Sequence, residues 1–285
     1  TGRGGRAGVN YRHGFHAGNF ADVLKHLILT AVLAGLRRKE TPFRVIDTHA
    51  GRGWYDLTSE EAQRSPEWRD GVGRLWPLED VPALVRDWLD ALRAANPDGT
   101  LRHYPGSPAL ALAATRAQDR LRFCELHPEE HERLAEACVG DRRCKTELRD
   151  GWEAVRAYLP APERRGRVIV DPPFEKPGEF ARLAGALEDG LARAATMTYL
   201  IWRPIKDPEA EADWRSGLKT LPRPALDAVL AVAAPGDRPG LAQTGVTVVN
   251  PPWRLEEGLA EAGPWLARKL AQGPSARFEM HAFAL

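Results

Sequence analysis

Apolar positions recur along this chain in two rhythms. The first is a spacing of three and four: Val23, Leu24, Leu27, Ile28, Ala31 and Val32 fall on one side of a helix predicted over residues 19–38. The second is the short strand-length run, apolar throughout at 168–170 and interrupted by charged or polar residues elsewhere, which reads as a strand. Such runs lie at 43–46, 121–124, about 144–148 and 168–170, and each empties into acidic or glycine residues. Helical patterns also cover 60–75, 81–94 and 255–270, with another starting near Pro108, and strands and helices alternate to about Lys206. Two closely spaced strands, 225–234 and 244–249, and a final one at 276–285 complete the series. This order predicts an α/β protein with a doubly wound, mostly parallel sheet and an antiparallel piece at one edge. The second strand waits until about residue 120, far longer than a crossover needs, so 54–103 is read as an inserted helical subdomain. It divides 1–53, holding a basic start, the first helix and the first strand with its glycine turn, from the remainder, 104–285. Trp54, Trp68, Trp76 and Trp88 are expected to form the core of the insertion.

The strand ends carry the chemistry. Residues 43–46 run into Asp47-Thr48-His49-Ala50-Gly51-Arg52-Gly53, an acid and a Gly-x-Gly that let backbone approach a nucleotide closely. The third glycine of a dinucleotide fingerprint is missing, which disfavours NAD and suits the looser turn of S-adenosylmethionine enzymes. Glu125 ends the next strand, placed to accept from both hydroxyls of a ribose, and Asp150-Gly151 after the third could close over an adenine. Open parallel sheets bind ligands at the carboxyl ends of their strands, so these ends would line one crevice.

The fourth strand, Val168-Ile169-Val170, empties into Asp171-Pro172-Pro173-Phe174. The Asp171 carboxylate and the Pro172 carbonyl can both accept from one exocyclic amino group, and Phe174 would stack on the ring. Two acceptors favour a pyramidal nitrogen with its lone pair free for an electrophile, which describes amino-group methylation. A second run of the same kind, Asn250-Pro251-Pro252-Trp253, follows a late strand. Asp171 is the preferred catalytic copy because its strand lies beside the first; Asn250 is expected near the sheet edge as a structural turn.

Composition narrows the class. The 43% hydrophobic content of 285 residues is enough for a full core. Cys124, Cys138 and Cys144 lack zinc or disulfide spacing. No apolar stretch reaches a membrane span and no leader pattern precedes the first motif, so a cytoplasmic protein without metal or membrane partner is expected. Residues 1–10 start without Met and are expected to be flexible. Net charge is only +1, but residues 1–45 hold eight Lys or Arg against Asp22 and Glu40, while the remainder holds 32 against 37. A basic segment beside the crevice would steer a phosphate backbone toward it.

Taken together, Tyr11 to His26, Asp47 to Gly51, Tyr104-Pro105-Gly106-Ser107-Pro108, Glu125-Leu126-His127-Pro128, Asp171 to Phe174 and Asn250 to Trp253 resemble the RlmJ family of bacterial 23S rRNA adenine-N6 methyltransferases. The resemblance spans nearly the whole chain from Tyr11. It implies a Rossmann-like class I S-adenosylmethionine-dependent fold and cofactor contacts from His26, His49, Ser107, Glu125, Asp150, Gly151 and Asp171, with Gly51 in the turn beside them. Asp171, Pro172 and Phe174 would be catalytic, while Tyr11 and Lys25 would face 23S rRNA, protein-free or early in assembly. Phe174 stands where Tyr is commoner, which keeps stacking and removes a phenol hydroxyl. A DNA adenine-N6 methyltransferase shares this chemistry; a protein-glutamine methyltransferase would put Asn at position 171; an inactive Rossmann-like RNA-binding module would not need Asp171 and Glu125 intact.

Overall fold

The first helix begins where a side chain can close it. The side-chain Oδ1 of Asn19 accepts from the amides of Ala21 and Asp22, both at 2.9 Å, and so satisfies two of the donors a helix start leaves open. Helix α1 (Phe20–Arg37) then buries Val23, Leu24, Leu27, Ile28 and Val32. This computed structural model describes residues 11–284; the expected flexible start, with Arg3 and Arg6 of the basic segment, lies outside the described residues.

The central sheet has eight strands. In chain order they are β1 (Arg44–Asp47), β4 (Arg120–Glu125), β5 (Cys144–Leu148), β6 (Gly166–Val170), β7 (Thr198–Pro204), β8 (Ala225–Ala231), β9 (Gln243–Val249) and β10 (Arg277–Phe283). Their spatial order is β10-β8-β9-β7-β6-β1-β4-β5. The five from β7 to β5 run parallel, and β9, β8 and β10 add an antiparallel edge. The chain moves outward from β1 to β4 and β5, returns to place β6 on the other side of β1, and then continues to β7. The order reverses between β1 and β6, where a crevice opens at the carboxyl ends of the strands.

Helices cover both faces. One layer joins α1 to α4 (Ala83–Ala94), α5 (Ser107–Ala114) and α10 (Leu255–Lys269); the other holds α7 (Gly151–Tyr158), α8 (Glu179–Arg193) and α9 (Pro208–Leu218). The 54–103 segment is bracketed by an antiparallel pair, β2 (Trp54–Asp56) and β3 (His103–Pro105). Its first helical pattern is not one helix: Pro66 lacks an amide and restricts Ser65, so α2 (Glu60–Arg64) ends there and a 3-10 turn leads to α3 (Val72–Leu75). Val85, Trp88, Leu89 and Leu92 of α4 enter the same core as α1. Trp68 and Trp76 are partly buried against it, but Trp54 is exposed and does not belong to any core, contrary to the pattern-based expectation.

One topological expectation is also corrected. β9 is not an edge strand; it lies between β7 and β8 and is antiparallel to both. Its carboxyl end therefore points away from that of β6. No helix of the described residues is long and apolar enough to cross a membrane.

Candidate active site

One cavity opens at the crevice, and the topology brings to it Tyr11, Lys25, His26, His49, Gly51, Ser107, Glu125, Asp150, Gly151, Asp171 and Pro172. These residues come from the N-terminal block, α1, the start of α5, and the ends of β1, β4, β5 and β6. Asp171 follows β6 directly, and Asp47 ends β1 in register with Ile169 on one side and Phe123 on the other.

Asp171 is held from below by α1. The Lys25 ammonium donates to Asp171 Oδ2 at 2.5 Å and reaches Asp22 Oδ1 at 2.8 Å. The other oxygen of Asp22 accepts from the Gly18 amide at 2.9 Å and faces His13 Nε2 at 2.8 Å. In a neutral ring Nε2 then carries the proton, and His13 Nδ1 accepts from the Tyr11 hydroxyl at 2.9 Å. Burial alone would discharge these groups, but they offset one another. Burial pushes the Lys25 pKa down, and Asp171 and Asp22 outweigh it and hold it above the ordinary lysine value. Burial likewise pushes Asp22 up, and its interactions with His13 and Lys25 hold it well below the carboxylate range. Lys25 is 4% exposed and lines the cavity with its ammonium already engaged, as the buried counter-ion of the strand end at Asp171. Its bond to Asp171 uses Oδ2, which leaves both lone pairs of Oδ1 without a bond to Lys25.

On the other side of the crevice the backbone comes close. Gly51 has φ +62° and a Cβ there would meet the Tyr55 hydroxyl at 2.4 Å, so only glycine fits the turn. Arg52 anchors this turn, forking onto Glu130 at 2.5 and 2.7 Å and onto Glu61 at 2.7 Å. Glu125 is oriented by two amides, Gly51 N at 2.8 Å and His127 N at 2.7 Å, and burial raises its pKa. Asp150 caps α7 through the Trp152 amide at 3.0 Å. A Cβ on Gly151 would lie 2.1 Å from the Thr48 carbonyl oxygen and 2.7 Å from His49 Nε2. The Thr48 hydroxyl donates to the Ile169 carbonyl and lies 2.8 Å from His49 Nδ1, so that nitrogen carries the proton and Nε2 is left as an acceptor. Burial lowers the His49 pKa to about 4 and that of His26 to about 3, so both rings are neutral at physiological pH. His26 Nδ1 bonds the Tyr104 hydroxyl at 2.8 Å, and its Nε2 is a buried polar atom without a partner among the described residues.

Two features lay outside the sequence reading. Asp47 Oδ2 is likewise buried without a partner, and burial raises the Asp47 pKa to about 7 despite a bond from Ser107. Trp202 lines the cavity because Val170 is in register with Ile201, which sets Trp202 beside Asp171 on the neighbouring strand. Its only sequence signal was its place at the end of a buried run. Phe174 corrects the expectation of a stacking ring. It adopts φ +49° and turns out of the cavity, with its ring 5.2 Å from Phe180 and 6.0 Å from Trp202, both edge-on. Phe174 thus backs Trp202 instead of facing the site.

The second Pro-Pro run is structural. Asn250 Nδ2 donates to the carbonyls of Ala195 at 2.9 Å and Met197 at 2.7 Å, ahead of β7 at the far end of the sheet. No group of three His, Cys, Asp or Glu among the described residues could hold a metal ion.

A reversal of strand order, a glycine turn whose amide holds the Glu125 carboxylate at the cavity, and an Asp-Pro-Pro strand end define a Rossmann-like class I methyltransferase. The comparisons narrow this class. The family model described as "Ribosomal RNA large subunit methyltransferase D, RlmJ" matches residues 40–280, and the chain belongs to that family. The "Ribosomal RNA large subunit methyltransferase J" of Escherichia coli is 38% identical over 263 residues, covering 92% of this chain and 94% of its own. The protein of the same name from Haemophilus influenzae is 39% identical over 264 residues, with the same coverage. A crystal structure of a Legionella pneumophila protein superposes with a TM-score of 0.87 at 29% identity, covering 94% of this chain and 99% of that one.

Proposed function

We infer that this chain transfers a methyl group from S-adenosylmethionine to the N6 amino group of one adenine in 23S rRNA, protein-free or early in assembly. The observation that carries the reading is Asp171-Pro172 at the switch point, facing the Gly51 turn, Glu125 and Gly151 across one cavity. The names of the curated relatives support ribosomal RNA over DNA as substrate.

The residues present suit the cofactor. Glu125 would take the ribose hydroxyls, Gly151 and Asp150 the adenine edge, and His26, His49 and Ser107 the polar amino-acid end, where the unpartnered Nε2 of His26 needs a partner. S-adenosylmethionine, when bound, supplies a sulfonium methyl that is already an activated electrophile, so no metal is required. The chain's own work is positioning. Asp171 Oδ1 and the Pro172 carbonyl accept the two N6 hydrogens and turn the lone pair toward the methyl. Lys25 holds the Asp171 carboxylate in place through its bond to Oδ2. Trp202 gives the target ring an aromatic wall, braced from behind by Phe174. Such alignment is worth up to roughly 7–11 kcal/mol of the barrier.

The test is tritiated methyl transfer from S-adenosylmethionine to protein-free 23S rRNA from cells lacking the enzyme, with nucleoside analysis and Asp171→Ala as control. N6-methyladenosine made by the wild type and lost in the variant supports the reading. Labelled DNA or protein with unlabelled rRNA overturns it.

A further inference from the structure

The Asn250-Pro251-Pro252-Trp253 turn has no part in the cavity, yet it displays the most exposed aromatic side chain among the described residues. Trp253 is 74% exposed, and the guanidinium carbons of Arg38 and Arg254 each lie 5.2 Å from its ring centroid. The turn is rigid. Besides the two bonds of Asn250 Nδ2, its carbonyl accepts from Thr198 Oγ1 at 3.0 Å and its amide donates to Pro224 O at 2.9 Å. Pro252 packs so closely on the last turns of α1 that a Cβ on Gly35 would come within 2.8 Å.

The same bonds gather several loops at this end of the sheet. Arg165 Nη1 donates to Thr41 O at 2.6 Å, and Thr196 Oγ1 to Arg164 O at 3.2 Å. The loops so joined expose Arg37, Arg38, Lys39, Arg164, Arg193 and Arg254. Of these six, only Arg254 forms an ion pair among the described residues, with Glu257 at 3.0 Å. The nearby acids are already engaged or few: Glu40 faces Arg116, Glu163 faces Arg44, and Glu256 stands alone. A tryptophan holding two arginines costs solvent contact, but it pre-orders two planar forks whose outward N–H groups match phosphate oxygens. Bases stack well on both indole and guanidinium planes.

We propose that Trp253 with Arg38 and Arg254 is a second RNA contact, an anchor for the sugar-phosphate backbone and a stacked base of the substrate away from its target adenine. This deepens the RNA reading of the active site and rests on it. Seven-residue strands such as β7 separate the anchor from Asp171 by roughly 20 Å at about 3.3 Å per residue, a span that a structured RNA bridges readily.

The test is filter binding of unmodified, protein-free 23S rRNA by the full chain across a salt titration, with S-adenosylhomocysteine affinity as the control for folding. Trp253→Ala should weaken binding about ten-fold, the worth of one stacked base, with the salt slope unchanged. Arg38→Ala with Arg254→Ala should weaken it by a similar factor and lower the slope by about 0.7–0.9 per lost contact. Arg37→Gln with Lys39→Gln, which leaves the tryptophan stack untouched, should also lower the slope. Wild-type affinity and slope in all three, with cofactor affinity intact, overturn the proposal. So does normal rRNA binding with lost binding to assembling subunits, which would assign the surface to a protein. If wild type binds rRNA but methylates none of it, the catalytic reading fails while these affinities still decide the anchor.

Discussion

Replacing Lys25 with methionine keeps the volume and removes the charge that two buried carboxylates share. Asp22 is 2% exposed and cannot recover its lost partner from bulk water, and Asp171, 16% exposed at the cavity wall, recovers it only in part. Breaking a buried pair on one side costs about 3–5 kcal/mol. At about 2.1 cal/mol/K per residue, unfolding 285 residues releases roughly 0.6 kcal/mol/K, so the melting temperature should fall by about 5–8 °C. The loss should appear at neutral pH. The raised Lys25 pKa contributes stability below the ordinary value of 10.5 and loses it only as pH rises through the folded value. The depressed Asp22 pKa contributes above 3.8 and loses it as pH falls through the folded value. Adding Asp171→Asn to Lys25→Met should restore part of the stability, because an amide is left without a counter-ion at lower cost than a carboxylate. The assay is calorimetry at pH 7 over this double-mutant cycle. A drop under about 1 °C for Lys25→Met, or additive losses in the double variant, would refute the coupling.

Other outcomes follow from single contacts. Asn250→Ala deprives two partly buried carbonyls of their donor and should destabilise by about 1–3 kcal/mol in denaturant titrations while methyl transfer stays near wild type. Loss of transfer without loss of stability would make Asn250 catalytic. Gly151→Ala drives a Cβ to 2.1 Å from the Thr48 carbonyl and should abolish S-adenosylhomocysteine binding by calorimetry; unchanged affinity would show that the loop is free to yield. The Asp47 pKa, raised to about 7, means that the folded state binds a proton more tightly than the unfolded chain. Wild-type melting temperature should therefore fall between about pH 4 and pH 7 on this account, and Asp47→Asn should flatten that part of the profile. Trp202→Ala should lower kcat by about 10²-fold through misalignment of the base, whereas Phe174→Ala should act more weakly; the opposite ranking would return the stacking role to Phe174.

Much of the architecture is written locally. The three-and-four spacing of α1, the Asn19 cap, the short strand-length runs of β1, β4, β5 and β6 and the residues that end them all depend on near neighbours, so their order implied a doubly wound sheet and a crevice lined by Gly51, Glu125, Gly151 and Asp171. The resemblance to the RlmJ family likewise rested on contiguous motifs. What contiguous residues cannot encode is which side of a strand end faces a cavity, or what lies across it. Phe174 looks like a stacking ring until its left-handed backbone turns it onto Phe180 and Trp202. Lys25 looks like a surface cation until α1 docks it under Asp171, 146 residues away in the chain. The Asn250 turn matches the Asp171 turn in type, and only the antiparallel setting of β9 sends them to opposite ends of the sheet. Short-range periodicity and capping determined the elements. Strand order, register and the exchange of water for buried partners decided which of their polar residues share one site.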